Sequence, residues 1–354
     1  MRYMKTILVT GGAGFIGSHT CLRLLENKYK VCVIDSFKNS SKKALERVKK
    51  ILKNDKEIFK SNLEIFEGDL CNKSFLEKVF KIIILKNRSI DGVIHFAGVK
   101  SVSESIKKPI FYWRTNLLGT INLLEIMSKY NCTSFVFSGS ATVYNQTENF
   151  LLNEKSALGP INPYGNTKLS VEILLKDIFQ SSNKDFKFAS LRYFNPIGAH
   201  PSGLIGEDPV GIPNNIFPLI TNTALGIQKE LKIFGNDWPT TDGTPIRDYI
   251  HVMDVAESHL KVLEYLMSKK RQCLNLNIGT GKATSVLELI STFEKVNNVK
   301  IPFVFSERRG GDACHIVADN RIMISKFKIF PKYNLEDMCR DGWKWKKLNP
   351  KGYR

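Results

Sequence analysis

The run Ile7-Leu8-Val9-Thr10-Gly11-Gly12-Ala13-Gly14-Phe15-Ile16-Gly17 decides how the rest of the chain is read. A short apolar strand passes directly into a glycine turn, and the turn opens a stretch with helical apolar spacing. Gly12, Gly14 and Gly17 form a Gly-x-Gly-x-x-Gly pattern, with Gly11 at the head of the turn. The pattern by itself is weak, but its place between a strand and a helix gives it a mechanism. Backbone that turns sharply and lets a pyrophosphate approach has no room for a Cβ, and the unpaired N–H groups and dipole of a helix N-terminus favour an anion. Gly11, Gly14, Phe15, Ile16 and Gly17 are therefore candidate dinucleotide-binding residues, set against the plainer reading of a turn kept for strand-to-helix packing.

Outward from this turn, Asp35 ends the second apolar run, Val31-Cys32-Val33-Ile34. A carboxylate about twenty residues after the glycines accepts hydrogen bonds from the adenosine ribose hydroxyls. Its charge repels a 2′-phosphate, which favours NAD over NADP. Further strand-like runs follow at 63–66, 93–96, 135–137 and 188–191, separated by stretches such as 120–130 with helical spacing. Short strands alternating with longer amphipathic segments signal βαβ units. The six runs predict an α/β fold, a Rossmann-type doubly wound parallel sheet. Ligands of such sheets bind beyond the carboxyl ends of the strands, which adds Asp69, Leu70, Phe96, Ala97 and Lys100 as candidates. For Asp69, an adenine contact and a simple loop cap stay equally open.

Beyond Asn195 the pattern shifts to Pro- and Gly-rich stretches at 196–211 and 235–245, with isolated helices such as 286–296. The expected division is an NAD-binding domain over residues 1–194, to which the chain returns around 245–265, and a smaller C-terminal α/β substrate-binding lobe over 195–354. A length of 354 residues suits two such lobes.

Composition sets outer limits. Hydrophobic residues make up 43% and charged residues 24%, an ordinary globular balance. No apolar run approaches the roughly 18 to 20 residues that span a bilayer, and the first residues lead straight into a strand, so a cytoplasmic location is expected. Seven scattered cysteines without a Cys-x-x-Cys pair read as free thiols and offer no metal site. The net charge of +18 would suit nucleic acid, an acidic membrane or a phosphorylated substrate. Lysines crowd segments such as 41–60 and 343–351, which read as solvated surface, and no zinc-finger or RNP-type motif accompanies them. A small-molecule partner is expected, with neither nucleic acid nor membrane.

The chemistry-bearing residues follow the fifth strand. Ser138-Gly139-Ser140-Ala141-Thr142 leaves that strand, and Pro163-Tyr164-Gly165-Asn166-Thr167-Lys168 begins a helix on which Tyr164 and Lys168 share a face at (i, i+4). A tyrosine with its ordinary pKa near 10 is a poor base at neutral pH, but a neighbouring ammonium and a positive nicotinamide ring both favour the phenolate. Tyr164 could then take a proton from a sugar hydroxyl while Ser140 or Thr142 holds the same oxygen and Lys168 bridges the cofactor ribose. Each residue alone has a dull explanation as a half-buried or solvated helix start. Their conjunction with a dinucleotide turn argues for the functional one.

These two motifs resemble the extended short-chain dehydrogenase/reductase family, and longer segments resemble its UDP-hexose 4-epimerases. The segments are Phe96 to Lys100, Ser140 to Tyr144, Leu191 to Pro196, His200 to Gly203, Gly211 to Asn215, Ile233 to Asp237, Arg247 to Val252 and Arg308 to Asp312. The resemblance implies an NAD-dependent epimerase serving galactose metabolism and nucleotide-sugar supply. Tyr164 would deprotonate the 4-hydroxyl, hydride would pass to tightly held NAD, and hydride would return to the other face of a rotated 4-keto sugar. It further implies that Lys100, Asn116, Ser140, Tyr193 and Phe194 line the nicotinamide and sugar region. Asn195, Asn215, Ile216, Ile233, Phe234, Arg247, Arg309 and Asp312 would hold the UDP moiety. Arg247 and Arg309 suit that role on their own chemistry, because planar guanidinium donors match a diphosphate. A homodimer packed through two long helices of each sheet domain, here 109–130 and 164–179, is the family habit.

Three positions depart from the family pattern. Gly139 stands for the middle serine of Ser-Ser-Ser-Ala-Thr, and Thr167 for the serine of the Tyr-x-x-x-Lys segment. Ile316 falls where residue size admits or excludes an N-acetylated sugar, and its intermediate size leaves that choice open, with plain hexoses favoured. The nearest rival is a 4,6-dehydratase on the same fold, which uses an Asp-Glu pair after the strand-end hydroxyl. Ala141 and Thr142 occupy those places and cannot shuttle a proton as carboxyl groups would. A second rival is a non-catalytic NAD-sensing or nucleic-acid-binding protein that exploits the positive charge.

Overall fold

Strand β1 (Thr6–Thr10) is buried at all five residues, as expected of a strand covered on both faces of a parallel sheet. The computed structural model describes residues 4–52, 62–86, 89–145, 151–181, 185–211, 213, 215–310 and 312–354, and it divides into two compact units. The first comprises Met1–Val143, Asn162–Arg192 and Ala256–Leu276; the second comprises Tyr144–Ile161, Tyr193–Val255 and Asn277–Arg354.

In the first unit the chain runs β1, α1 (Phe15–Glu26), β2 (Lys30–Asp35), α2 (Lys42–Leu52), β3 (Leu63–Glu67), α3 (Lys73–Leu85), β4 (Gly92–His95), α4 (Gly119–Lys129), β5 (Ser134–Ser138), α5 (Pro163–Ser181) and β6 (Lys187–Tyr193). After α6 (Val252–Ser268), β7 (Gln272–Ile278) adds a seventh strand, and the sheet order is β7-β6-β5-β4-β1-β2-β3. The six expected strands are all present. The seventh is hard to read from sequence because Gln272-Cys273-Leu274-Asn275-Leu276-Asn277-Ile278 alternates polar and apolar residues, as an edge strand does, and lies far down the chain from its neighbour. Strands β1, β2 and β3 pair in parallel on one side, and β4 and β5 extend from β1 on the other. The order therefore reverses between β1 and β4, which makes their carboxyl ends the topological switch point.

Helices cover both faces. On one, Leu76 and Phe80 of α3, Leu123 and Met127 of α4 and Val171 and Leu175 of α5 join Leu8, Ile34, Val93 and Phe135 in one apolar cluster. On the other, α6 lies against the sheet and α1: Arg23 pairs with Glu257 at 2.7 Å, and Gly92 leaves room for Leu263, which a Cβ would approach to 2.8 Å.

The segment expected as one helix over 109–130 is helical but interrupted. A short helix, Pro109–Trp113, passes into a π-helical turn, Arg114–Leu118, before α4 begins. The turn carries Asn116, which is buried and binds Val99 and Thr167 through its side chain. Helix α2 fills part of the lysine-rich segment 41–60 and buries Ala44, Leu45 and Val48; residues 53–60 lie outside the described residues.

The second unit has its own core. Phe217 and Ile220 of helix Ile216–Ala224, Leu289 and Phe293 of helix Val286–Asn297, and Met338 and Trp343 of helix Leu335–Leu348 close on Leu231, Ile233 and Tyr249. Segment 343–351 is consequently not the solvated stretch its lysines suggest, since Trp343 and Trp345 are buried. The division also differs from that expected. Residues 144–161 belong with the second unit, because Leu152 N donates to Val317 O and Asn277 binds both Tyr144 and Leu152. The return to the first unit covers Ala256–Leu276, later than 245–265, because it consists of the bulk of α6 and β7.

Among the described residues three small sheets organise the second unit, and Asp248 stands between strands of two of them, Ile246–Arg247 and Tyr249–His251. Asn195 N donates to Asp248 O at 3.0 Å, and Asp248 N donates to Ile316 O at 3.1 Å. The fully buried carboxylate accepts from Thr280 N and Oγ1, Gly281 N and Ala318 N at 2.6 to 3.2 Å. Asp248→Asn turns one acceptor into a donor facing N–H groups, a loss on the order of 3 kcal/mol. Thermal unfolding should show the midpoint falling by roughly 5 to 10 °C; an unchanged midpoint would remove Asp248 from this structural role.

Candidate active site

The glycine turn has the geometry of a phosphate cradle. Gly11 takes φ +68°, and a Cβ there would lie 2.6 Å from Ala97 N; a Cβ on Gly17 would lie 2.3 Å from Gly11 O. These glycines close the turn against itself and against the Phe96-Ala97 backbone after β4. Gly12 serves strand-to-helix packing instead, since its Cβ would meet the Val33 side chain at 2.8 Å. The set near the turn backbone is thus Gly11, Gly14 and Gly17, a Gly-x-x-Gly-x-x-Gly spacing rather than the one built on Gly12. Gly14 is the N-cap of α1, and no side chain caps that helix, whereas Asn72 and Ser101 cap the helices that follow them. The first-turn N–H groups at Phe15, Ile16 and Gly17 present the positive end of the dipole at the switch point.

Asp35 closes the same turn from β2. Its Oδ2 accepts from Ala13 N at 2.9 Å, and its Oδ1 accepts from Phe37 N and Ser40 Oγ. A carboxylate offers about four lone-pair directions, so capacity for a ribose hydroxyl remains. Asp69 lies two residues beyond β3; it accepts from Cys71 N and pairs with Lys38 Nζ at 2.7 Å, which holds its carboxyl below the usual range. That is a turn-closing role. Leu70 puts its side chain into the apolar core and its carbonyl accepts from Asn122 Nδ2, so only its N–H could face a ligand. The Phe96 ring lies tilted against His259 with centroids 4.6 Å apart, and Lys100 is exposed.

Tyr164 and Lys168 occupy the first turns of α5, which Pro163 starts and Asn162 caps by accepting from Gly165 N at 2.8 Å. Both side chains are buried. Ser140 Oγ accepts from Thr142 N and Thr142 Oγ1 at 3.2 and 2.9 Å, which leaves its own proton to give to the Tyr164 oxygen, its hydrogen-bond partner. Lys168 Nζ donates to Ser138 O at 2.8 Å and lies 4.8 Å from the Phe137 ring centroid. Burial in this apolar wall pushes the Lys168 ammonium down to about 8, against the opposing pull of Glu172. Burial also raises Tyr164, and the groups that draw it back are the Ser140 hydrogen bond and the Lys100 charge. The expectation that a neighbouring ammonium favours phenolate therefore needs amendment: within the protein alone burial outweighs it, and the helping charge is that of Lys100.

Asn116 ties these parts together. Its Oδ1 accepts from Val99 N at 2.8 Å, and its Nδ2 donates to Val99 O and to Thr167 Oγ1. Thr167 in turn donates to Tyr164 O at 2.7 Å, so its threonine hydroxyl keeps the link a serine would make. Gly139 brings the end of β5 directly onto β6, where a Cβ would lie 2.8 Å from Leu191 O.

Two features of the site carry no sequence motif. His95, a polar residue inside an apolar strand, bridges Thr10 Oγ1 at 2.6 Å and Thr120 Oγ1 at 2.9 Å, and burial and the Lys168 charge push it down to about 3, so it is neutral. Glu172 lies (i, i+4) from Lys168 and forms a buried pair with Arg192. That spacing is the available signal for it.

The remaining candidates belong to the second unit. Tyr193 and Phe194 are buried, and Phe194 N donates to Ile278 O. Asn215 is exposed at the N-cap of helix Ile216–Ala224, and its Nδ2 reaches Glu207 Oε1 at 3.4 Å. Ile233 lies in the core, so any contact it makes to a ligand is through its backbone, while Phe234 on the same strand sits under the Arg309 guanidinium at 5.4 Å. Arg247 and Ile316 are paired in register on adjacent parallel strands, with Asn195 beside them through Asp248. Arg309 pairs with Asp312 through two contacts at 2.9 and 3.2 Å, so it enters any anion site with a carboxylate attached. Ile212, Asn214 and Gly311 of the family-like segments lie outside the described residues.

Known proteins share this arrangement. The family described as GDP-mannose 4,6 dehydratase matches residues 8–342. UDP-glucose 4-epimerase 2 of Arabidopsis thaliana is 46% identical over 99% of this chain and 97% of its own length. UDP-glucose 4-epimerase 4 of Oryza sativa subsp. japonica is 48% identical over 99% of this chain and 92% of its own. Among solved structures, the UDP-glucose 4-epimerase of Stenotrophomonas maltophila, with bound NAD and formylated UDP-arabinopyranose, superposes with a TM-score of 0.90 at 40% identity over 98% of this chain and 99% of that one. The Bifidobacterium longum enzyme in complex with NAD+ and UDP gives the same TM-score and identity, over 98% of this chain and 100% of that one. Likeness on this scale, over nearly the full length, places the chain in the UDP-glucose 4-epimerase family of extended short-chain dehydrogenase/reductases.

Proposed function

We propose that this protein is an NAD-dependent epimerase that interconverts UDP-glucose and UDP-galactose through a 4-keto sugar. The observation that carries the reading is the convergence of Ser140, Tyr164 and Lys168 at the carboxyl end of β5, in the same unit as an uncapped glycine cradle. NAD, when bound, supplies a reversible hydride acceptor for sugar carbon 4 and a positive ring that favours a nearby phenolate.

The chain's own residues supply the rest. Gly11, Gly14 and Gly17 with the first turn of α1 suit the pyrophosphate, and Asp35 suits the adenosine ribose. Tyr164 is the base that takes the 4-hydroxyl proton, and Ser140, whose Thr142 contacts use only its lone pairs, turns its proton from the Tyr164 oxygen to the sugar oxygen when substrate binds. An ordinary value near 10, which burial raises further, keeps the Tyr164 phenol protonated, so its ionisation waits on added positive charge, which links proton removal to a loaded site. Lys168 stays anchored on Ser138 O while presenting its ammonium toward the ribose and the tyrosine. In the second unit, Phe234 offers a ring for the uracil, and Arg247 offers donors for the diphosphate. Neither Ala141 nor Thr142 can replace the carboxyl pair of a dehydratase.

Ile316 favours plain hexoses over N-acetylated ones. Among the described residues no helix is long and apolar enough to cross a membrane, and the reading places the protein in the cytoplasm, supplying nucleotide sugars and serving galactose use. A homodimer is supported by apolar side chains exposed on the helical segments 109–118 and α5: Ile110 at 82%, Ile173 at 52% and Phe111 at 44%. Such a patch marks an interaction surface.

Purified protein given UDP-galactose and no added NAD should form UDP-glucose, with Tyr164→Phe slower by about 100-fold or more. UDP-N-acetylglucosamine should turn over far more slowly. Absence of product from every UDP-sugar, even with NAD supplied, would defeat the assignment. Light scattering should give twice the chain mass, and Ile110→Glu should yield monomer.

The buried Lys168 also predicts a pH effect. Its ammonium titrates near 8 when folded and near 10.5 when unfolded, so over that window the unfolded chain binds more protons and stability rises with pH. Relative to Lys168→Met, the wild-type melting temperature should climb between about pH 7 and 10 by the equivalent of on the order of 3 kcal/mol. A constant difference would mean Lys168 titrates as an exposed lysine does.

A further inference from the structure

One buried charge pair is unused by this mechanism. Arg192, on β6, is 1% exposed, and its guanidinium grips Glu172 of α5 through Nε at 3.0 and 3.2 Å and Nη2 at 2.5 Å. Two ions placed so deep in an apolar core add little stability over a well-packed apolar pair, so stability alone is a weak reason for them. Their position is informative. Glu172 lies one helical turn beyond Lys168 on the same face, and that face also carries Tyr164 one turn before it. Among the described residues Glu172 is the carboxylate whose charge acts on Lys168. From β5 come the Phe137 ring and the Ser138 carbonyl; from β4 comes His95, held neutral; on its own helix stands Tyr164, a buried phenol. Arg192 binds Glu172, whose carboxylate also faces Cys273 of β7.

We propose that Glu172, fixed by its fork with Arg192, is a positioning residue for the reaction, keeping Lys168 in its ammonium form against an apolar wall. The inference rests on the epimerase reading for its link to turnover, but not for its electrostatics. Burial alone would drive Lys168 toward the neutral amine, and Glu172 is the carboxylate that opposes it. Arg192 acts separately by holding the carboxylate in one rotamer between α5 and β6, so the field at Lys168 is constant while the site loads and empties.

The test is the pH profile of kcat together with the titration of Lys168, followed by NMR on protein carrying 13C-labelled lysine. In Glu172→Gln, the alkaline limb should move down by about one pH unit, a tenfold loss of ammonium above the limb. Glu172→Asp keeps the charge and should keep the limb near its wild-type position. Should Glu172→Gln fail to fold with Arg192 unpaired, Glu172→Gln with Arg192→Gln removes both charges and should still lower the limb. A variant that loses thermal stability while both the limb and the Lys168 titration stay in place would overturn the proposal and leave the pair a structural brace. If the wild type turns over no UDP-sugar, the NMR titration still decides the point, so failure of the epimerase reading and failure of this inference are separate results.

Discussion

A lysine ammonium held dry at the carboxyl end of an interior strand is the constraint on which the proposed chemistry of this protein depends. Water would solvate Lys168 far better than Phe137 and a single carbonyl do, so the fold must supply what solvent does not. It does so with Ser138 O at 2.8 Å and a carboxylate one turn further along the helix. The cost of keeping that charge dry explains the company around it: a neutral histidine on β4, a glycine that lets β5 close on β6, and a buried Arg192–Glu172 pair. The charge is useful because it is hard to keep. An ammonium in a low-dielectric wall acts on a ligand oxygen beside it far more strongly than one in water.

The same logic makes Tyr164 conditional. Burial raises it, so the phenol is not a base in the protein by itself, and Lys100 and Ser140 only partly offset that effect. A base that ionises only when further positive charge arrives is idle without a loaded site. The glycine cradle matches this need, because α1 begins without a side-chain cap while helices nearby are capped by Asn72 and Ser101. The second unit is organised by a different buried carboxylate, Asp248, through which the backbones of Asn195 and Ile316 are tied beside Arg247.

Most of the first unit is legible in the sequence, since its strands are short apolar runs and its turn needs glycines that only one geometry explains. What the sequence hides are features set by tertiary contact. The spacing of the glycines does not reveal that Gly12 belongs to Val33 and not to the turn. Nor does helical periodicity show the π-helical turn at Asn116, because the stretch from Arg114 to Leu118 is too short to reveal a change of pitch. Strand β7 alternates like a solvated edge, and the lysines of 343–351 conceal Trp343 and Trp345, whose indoles decide the burial of that helix. The residues proposed for acid-base work are readable because that chemistry demands a fixed order and spacing. Residues that tune them, such as Glu172 and His95, carry no motif of their own.

The central claim is that the sugar's own hydrogen leaves carbon 4 and comes back to it inside one site. UDP-galactose carrying deuterium at carbon 4, incubated with the purified protein in ordinary water without added NAD, tests this most directly. The account predicts UDP-glucose that retains deuterium at carbon 4 through many turnovers. Conversion accompanied by loss of the label to solvent would mean a proton is removed from that carbon instead, and would contradict the account.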